Sequence, residues 1–155
     1  MEVAMADYPD KLSEMIELFE MIPDRASRID MLMGIADRFK PVPESIAQRP
    51  YPEDHRVKDC ESEVYVWIEE QADRTLKLHF AVENPQGMSA MATAVILDET
   101  LSGLPPENIA EIPADIIYRF FGNELSMGKS MGLMGMINMV KSYARQQATK
   151  QQLNS

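Results

Sequence analysis

An α+β fold is predicted by three observations. Apolar residues recur at helical spacing over residues 10–39, the period switches to two over residues 64–82, and helical spacing then returns. That order describes two layers, with helices packed on one face of a small antiparallel sheet of about three strands. The 155 residues make one domain, and 45% apolar against 26% charged residues is enough to bury a core.

Residues 1–9 are expected to be flexible, and Pro9 ends them. Leu12, Met15, Ile16 and Phe19 then give an amphipathic helix from Asp10 to about Met21. Pro23 breaks it and suits the first turn of the next helix, which carries Ile29, Leu32, Ile35, Ala36 and Phe39 on one side. The pair reads as antiparallel, and Lys40-Pro41-Val42-Pro43 stops it. Residues 40–54 hold four prolines and form an ordered or semi-extended loop, followed by a short edge strand over His55 to Lys58.

Val64, Val66 and Ile68 face one way, and Tyr65 and Trp67 the other. After Gln71-Ala72-Asp73-Arg74, Leu76, Leu78, Phe80 and Val82 alternate with Thr75, Lys77, His79 and Ala81. The two runs form a hairpin with one buried face. Asn84-Pro85-Gln86-Gly87 is a turn. Ser89 caps a helix to Leu101, buried through Met91, Ala94, Val95 and Leu97, with Gly103 after its end. Glu107 to Ala110 is a single turn, and Pro113 opens a short helix bearing Ile116, Ile117, Phe120 and Phe121. The last helix runs from about Lys129 to Gln147 on a stripe of Leu133, Ile137, Val140 and Ala144. Residues 148–155 are expected to be flexible.

The formal charge of −10 excludes general nucleic-acid binding and disfavours anionic membranes. No run of about 18 apolar residues offers a membrane span, and no charged segment followed by an apolar run opens the sequence. With one free thiol, a cytoplasmic protein is expected.

That thiol, Cys60, stands where the proline-rich stretch becomes the first strand, a placement that suits a reactive group on a rigid support. The plainer reading is a small buried hydrophobe, but Lys58, Asp59, Glu61, Ser62 and Glu63 around it are hardly core-like. Asp59, Glu61 and Glu63 disfavour a thiolate, whereas His55, Arg56 and Lys58 favour one. A thiol so weakly activated suits a carrier switched on by a partner better than a cysteine protease. His79, on the polar face of its strand, reads as solvated, and no tight ligand spacing supports a metal site. The thirteen methionines are mostly core, although Met127, Met131, Met134, Met136 and Met139 run all round the last helix. Gly128, Gly132 and Gly135 follow no strand, so they read as helix packing and not as a phosphate loop.

The segment Asp59-Cys60-Glu61-Ser62-Glu63-Val64-Tyr65-Val66-Trp67 resembles the Gly-Cys-x-Ser-x-Val-Trp signature of the SufE family. Residues 125–137, Leu-Ser-Met-Gly-Lys-Ser-Met-Gly-Leu-Met-Gly-Met-Ile, are similar to the family's late Leu-x-Pro-Ser-Arg-x-x-Gly-Leu-x-x-Met-Ile stretch. The resemblance spans nearly the whole chain and implies a SufE/NifU-like fold. It also implies a sulfur acceptor that takes persulfide sulfur from a cysteine desulfurase onto Cys60 and hands it to iron–sulfur scaffold proteins. That role is sulfurtransferase-like and accessory to another enzyme, with no cofactor. In the family the cysteine loop is shielded and swings out on docking. Arg56, Lys58, Asp59 and Glu63 become expected partner contacts, and Lys129, at the position of the family's arginine, pairs with the partner or fixes the cysteine loop. The departures are Asp59 for glycine, Lys129 for arginine, Tyr65 for the first tryptophan, and Glu83-Asn84-Pro85-Gln86-Gly87 for the turn after the hairpin. If position 59 needs a positive φ, aspartate tolerates it better than most residues. The departures leave a second reading, a desulfurase-binding module that has lost transfer.

Overall fold

The computed structural model describes residues 8–154. Of the segment expected to be flexible at the start, residues 1–7 lie outside the described residues, as does Ser155 at the other end. Six α-helices and one hairpin make up the described chain: α1 (Asp10–Glu20), α2 (Arg25–Ala36), β1 (Val64–Glu70), β2 (Leu76–Val82), α3 (Met88–Leu101), α4 (Pro106–Ala110), α5 (Ile117–Phe121) and α6 (Met127–Leu153). The fold is α+β, as the hydrophobic periods predict.

The hairpin pairs antiparallel with Val66 opposite Phe80 and Ile68 opposite Leu78. The sheet has two strands, fewer than the expected three. In place of the expected edge strand there is a 3-10 turn, Glu53–His55, followed by a single bridge from Arg56 to Tyr65. Pairing stops there because Asp59 adopts φ +64°, outside the extended region. A second single bridge joins Leu76 to Leu104 and ends at Pro105, which has no N–H to offer.

One sheet face, Val64, Val66, Leu76, Leu78 and Phe80, packs on the helices as the alternation predicts. The opposite face is also buried, by the proline-rich segment. Val42 donates its N–H to the carbonyl of Phe80 at 2.8 Å, Tyr51 lies 5.2 Å from both Tyr65 and Trp67, and Arg49 pairs with Glu83 at 2.8 Å. This strap corrects the solvated reading of His79. Its side chain is only 9% exposed and meets Glu69 at 3.0 Å. His55 stacks on Trp67 and makes a 2.8 Å hydrogen bond through Nδ1 with the carbonyl of Val66.

Two helices differ from the periodic expectation. α3 begins at Met88 with no side-chain cap, so Ser89 does not cap it. α3 is buried on nearly every side, and small residues let α1, α2, β2 and α6 crowd it. Its two buried threonines satisfy their hydroxyls by donating to the carbonyls one turn back, Ser89 and Ile96. Gly103 follows it at φ +94°, in the left-handed region that glycine adopts without cost.

α6 buries the predicted stripe Leu133, Ile137, Val140 and Ala144 and adds Ser130, Gly132 and Met136. Instead of ending near Gln147 it continues to Leu153, where Gln151 donates to Glu70 at 2.7 Å and to the carbonyl of Arg74 at 2.9 Å. No helix among the described residues is long and apolar enough to cross a membrane.

Candidate functional site

Cys60 lies in a loop, residues 57–64, whose ends are tied together. Val57 donates to the carbonyl of Val64 at 2.8 Å, and Glu63 donates to the carbonyl of Cys60 at 3.4 Å across the turn. The end of the hairpin adds two more bonds, from Glu83 to the carbonyl of Glu63 at 3.1 Å and from Asn84 to that of Ser62 at 3.2 Å. Asp59 and Glu63 both hold positive φ, +64° and +54°. These reversals flank Cys60 and turn it inward while Lys58, Asp59, Glu61 and Glu63 stay exposed. The departure from glycine at position 59 is therefore met by a residue type that tolerates this conformation. A β-branched residue does not. Asp59→Val is expected to cost about 1–2 kcal/mol in urea unfolding, through backbone strain alone because the side chain is exposed.

The thiol is free and only 8% exposed. It borders a cavity of about 170 Å³ between the first turns of α3 and α6, whose lining includes Ser62, Gly87, Ser89, Lys129 and Gly132. The structure thus brings together the two residues at the centre of the sequence signatures, Cys60 and Lys129. Helix starts carry N–H groups without helical partners, so the first turns of α3 and α6 give this cavity a lining that favours an anion. The Lys129 N–H is already used, donating to Ser126 Oγ at 3.2 Å. Arg56 sits at the bridge to Tyr65, beside Glu53 at 3.6 Å. Neither histidine borders the cavity. Among the described residues, no three His, Cys, Asp or Glu side chains are placed to hold a metal ion.

Burial pushes the Cys60 thiol above its ordinary range. The backbone N–H of Ser62 opposes this most, then the charge of Arg56; Glu61 adds to the rise, and the N–H of Val64 lowers it slightly. Of the charges weighed from the sequence, only Arg56 and Glu61 register, and desolvation outweighs both. The thiol is therefore protonated and shielded at neutral pH. Its contribution to stability is complete below the unfolded thiol's pKa and is lost as pH rises through the higher folded value. Alkylation with iodoacetamide should be much slower in the native protein than in urea at neutral pH, and its rate should still be rising with pH after that of the unfolded chain has levelled. Equal rates in the two states would contradict this burial.

The sequence does not single out Gly87 or Ser89 for the site; Ser62 and Gly132 stand in the two signature segments, but neither is given a role there, and Gly132 reads as helix packing. The glycine spacing in α6 is the available signal. Met127 is 79% exposed, and Met131 and Met88 are also exposed, whereas Met136 is buried. The methionines of α6 thus divide between surface and core.

A family model described as "SufE: Fe-S metabolism associated domain" matches residues 13–144, which include both signature segments. A curated relative, the "Cysteine desulfuration protein SufE" of Plasmodium vivax, is 25% identical over 135 residues. That alignment covers 86% of this chain and 52% of the relative, so the chain spans about half the length of the curated relative it matches. Among solved structures, the solution structure of a hypothetical protein from Thermus thermophilus superposes with a TM-score of 0.71 at 25% identity. It covers 92% of this chain and 98% of that one. The cysteine loop, its supporting hairpin and the glycine-bearing start of α6 all fall inside the matched region, and the chain belongs to the SufE family.

Proposed function

We propose that Cys60 accepts sulfane sulfur from the persulfide of a cysteine desulfurase and passes it to iron–sulfur cluster assembly, stimulating the desulfurase. The observation that carries this reading is the lone thiol of a SufE-family chain, held at a loop tip beside a partly open cavity with room for an added atom.

The step is thiol exchange. The Cys60 sulfur attacks the outer sulfur of the desulfurase persulfide, a new sulfur–sulfur bond forms on Cys60, and the desulfurase cysteine leaves as its thiolate. The Cys60 proton goes to solvent, and no net oxidation occurs. Handover to a scaffold thiol repeats the exchange with Cys60 as the leaving group. Because burial keeps the resting thiol protonated, docking has to expose it before attack. Arg56, Lys58, Asp59 and Glu63 surround the loop and Lys129 borders the cavity, which makes them the proposed partner contacts.

The test is desulfurase turnover, followed as alanine released from free cysteine, with and without this protein. Stimulation by the wild type supports the proposal. Equal stimulation by Cys60→Ser would instead support the non-catalytic binding module.

A further inference from the structure

The loop that carries Cys60 rests on a bare stretch of α6. A Cβ placed on Gly132 would lie 3.3 Å from the Cys60 Cα, 3.3 Å from its Sγ and 3.4 Å from its Cβ. One turn along, a Cβ on Gly135 would lie 3.0 Å from Val57 Cγ1 and 3.5 Å from the Lys58 carbonyl oxygen. Residues 57–60 thus lie so close to α6 that a Cβ at 132 or 135 would press on the loop. At Gly132 one of the close neighbours, Cys60 Cα, belongs to the loop backbone, so a change of rotamer cannot relieve the contact there; at Gly135 the close contact is with the Val57 side chain, and the Lys58 oxygen is at ordinary contact distance.

The helix gains nothing from glycine at these positions. Glycine is the poorest ordinary residue in a helix interior, and both lie inside the 27-residue α6. At Gly34 of α2, by contrast, an added Cβ meets nothing within 4 Å. The loop's other attachments run to the hairpin, through the bonds at Val57, Ser62 and Glu63. Against α6 the loop packs through Val57 and Cys60, buried in one apolar cluster with Leu133 and Met136, and Gly132 and Gly135 let it come this close.

We infer that Gly132 and Gly135 are positioning residues that seat the Cys60 loop in its shielded state, and so set how much of the time the thiol is available for exchange. Gly132 governs the depth of the sulfur, and Gly135 anchors the strand of loop leading to it. The biological use of this seat rests on the proposed sulfur-acceptor role of Cys60; its geometry does not.

The experiment is native-state alkylation of the full chain with iodoacetamide across a pH series, read by intact mass. Gly132→Ala is expected to react about tenfold faster than wild type, the change that weakening the seated state by about 1.4 kcal/mol produces. The pH at half-maximal rate should also move down, because a thiol released to water loses the desolvation that raises it. A purely structural effect on helix packing would leave that pH profile in place. Gly34→Ala makes the same helix-favouring change away from the loop and should leave rate and profile unchanged. Gly132→Ala with the wild-type rate and profile, in a protein with a normal urea midpoint, overturns the inference. If Gly132→Ala does not fold, Gly135→Ala carries the test, and a folded Gly135→Ala with no acceleration overturns it equally. No desulfurase takes part, so failure of the sulfur-acceptor reading and failure of the seat are distinguishable.

Discussion

Cys60→Ser is expected to abolish sulfur acceptance while the protein stays folded. The loss should be complete, because the chain has no other cysteine to take over the exchange. A serine hydroxyl does not replace a thiol here, since exchange requires a sulfur that ionises and attacks sulfur. Folding should survive because the replacement is nearly isosteric and the backbone N–H groups of Ser62 and Val64, already turned to the sulfur, can donate to the new oxygen. The cost of burying the hydroxyl is about 1–3 kcal/mol if it stays unpaired, and less if it is paired. The check is radiolabelled sulfur carried from free cysteine through a desulfurase, alongside a urea titration. Label retained on a folded Cys60→Ser protein would remove Cys60 from the mechanism.

Trp67→Ala is expected to give a large loss of stability, about 3–5 kcal/mol, the range for truncating a buried large aromatic. Trp67 is buried on the sheet face away from the helices, stacked on His55 and in edge contact with Tyr51. Its removal empties the space between the sheet and the proline-rich strap. Domains of this size are stable by roughly 5–15 kcal/mol in total, so the variant should unfold at clearly lower urea or be partly unfolded. The exposed Arg38–Glu99 pair offers a contrast. Its bidentate geometry, 2.8 and 3.0 Å, is good, but both side chains are about half exposed, and Glu99→Ala should cost no more than about 1 kcal/mol. A Trp67→Ala change as small as that would mean the strap does not close the second face.

The strength of the periodic signal decides which elements are legible in the sequence. The hairpin is readable to the residue on its helix-facing side, because alternation of two over Val64–Ile68 and Leu76–Val82 admits only one assignment of faces. Burial of the other face is not readable, since the covering segment around Val42, Ala47 and Tyr51 has no period at all. The partial burial of His79 is hidden for the same reason. In sequence α3 shows burial only through Met91, Ala94, Val95 and Leu97, yet its alanines and threonines are small enough to let neighbours approach from nearly all sides. The last two turns of α6 carry no core stripe, and their order depends on Gln151 reaching Glu70 and Arg74, a contact across the fold that local sequence does not announce.

The site shows the same division. Cys60 is conspicuous by its place before a strand, and the glycine that family members carry at position 59 signals the positive φ found at Asp59. The depth of the thiol is hidden by its polar neighbours. Lys58, Asp59, Glu61 and Glu63 suggest an exposed thiol, whereas two positive-φ residues turn the chain so that the acids face water and the sulfur faces α6. The surface that receives it, at Gly132 and Gly135, lies about seventy residues away in sequence. Mixed charges suggest weak activation, but its main physical cause is burial.

The central claim is that Cys60 carries sulfur as a persulfide. It is tested most directly by the intact mass of the protein after incubation with a cognate cysteine desulfurase and free cysteine, before and after a thiol reductant. The account predicts a gain of one sulfur atom on the wild type, removed by reductant and absent from Cys60→Ser. No mass gain with a desulfurase shown to bind this protein, or a gain that persists in Cys60→Ser, would contradict it.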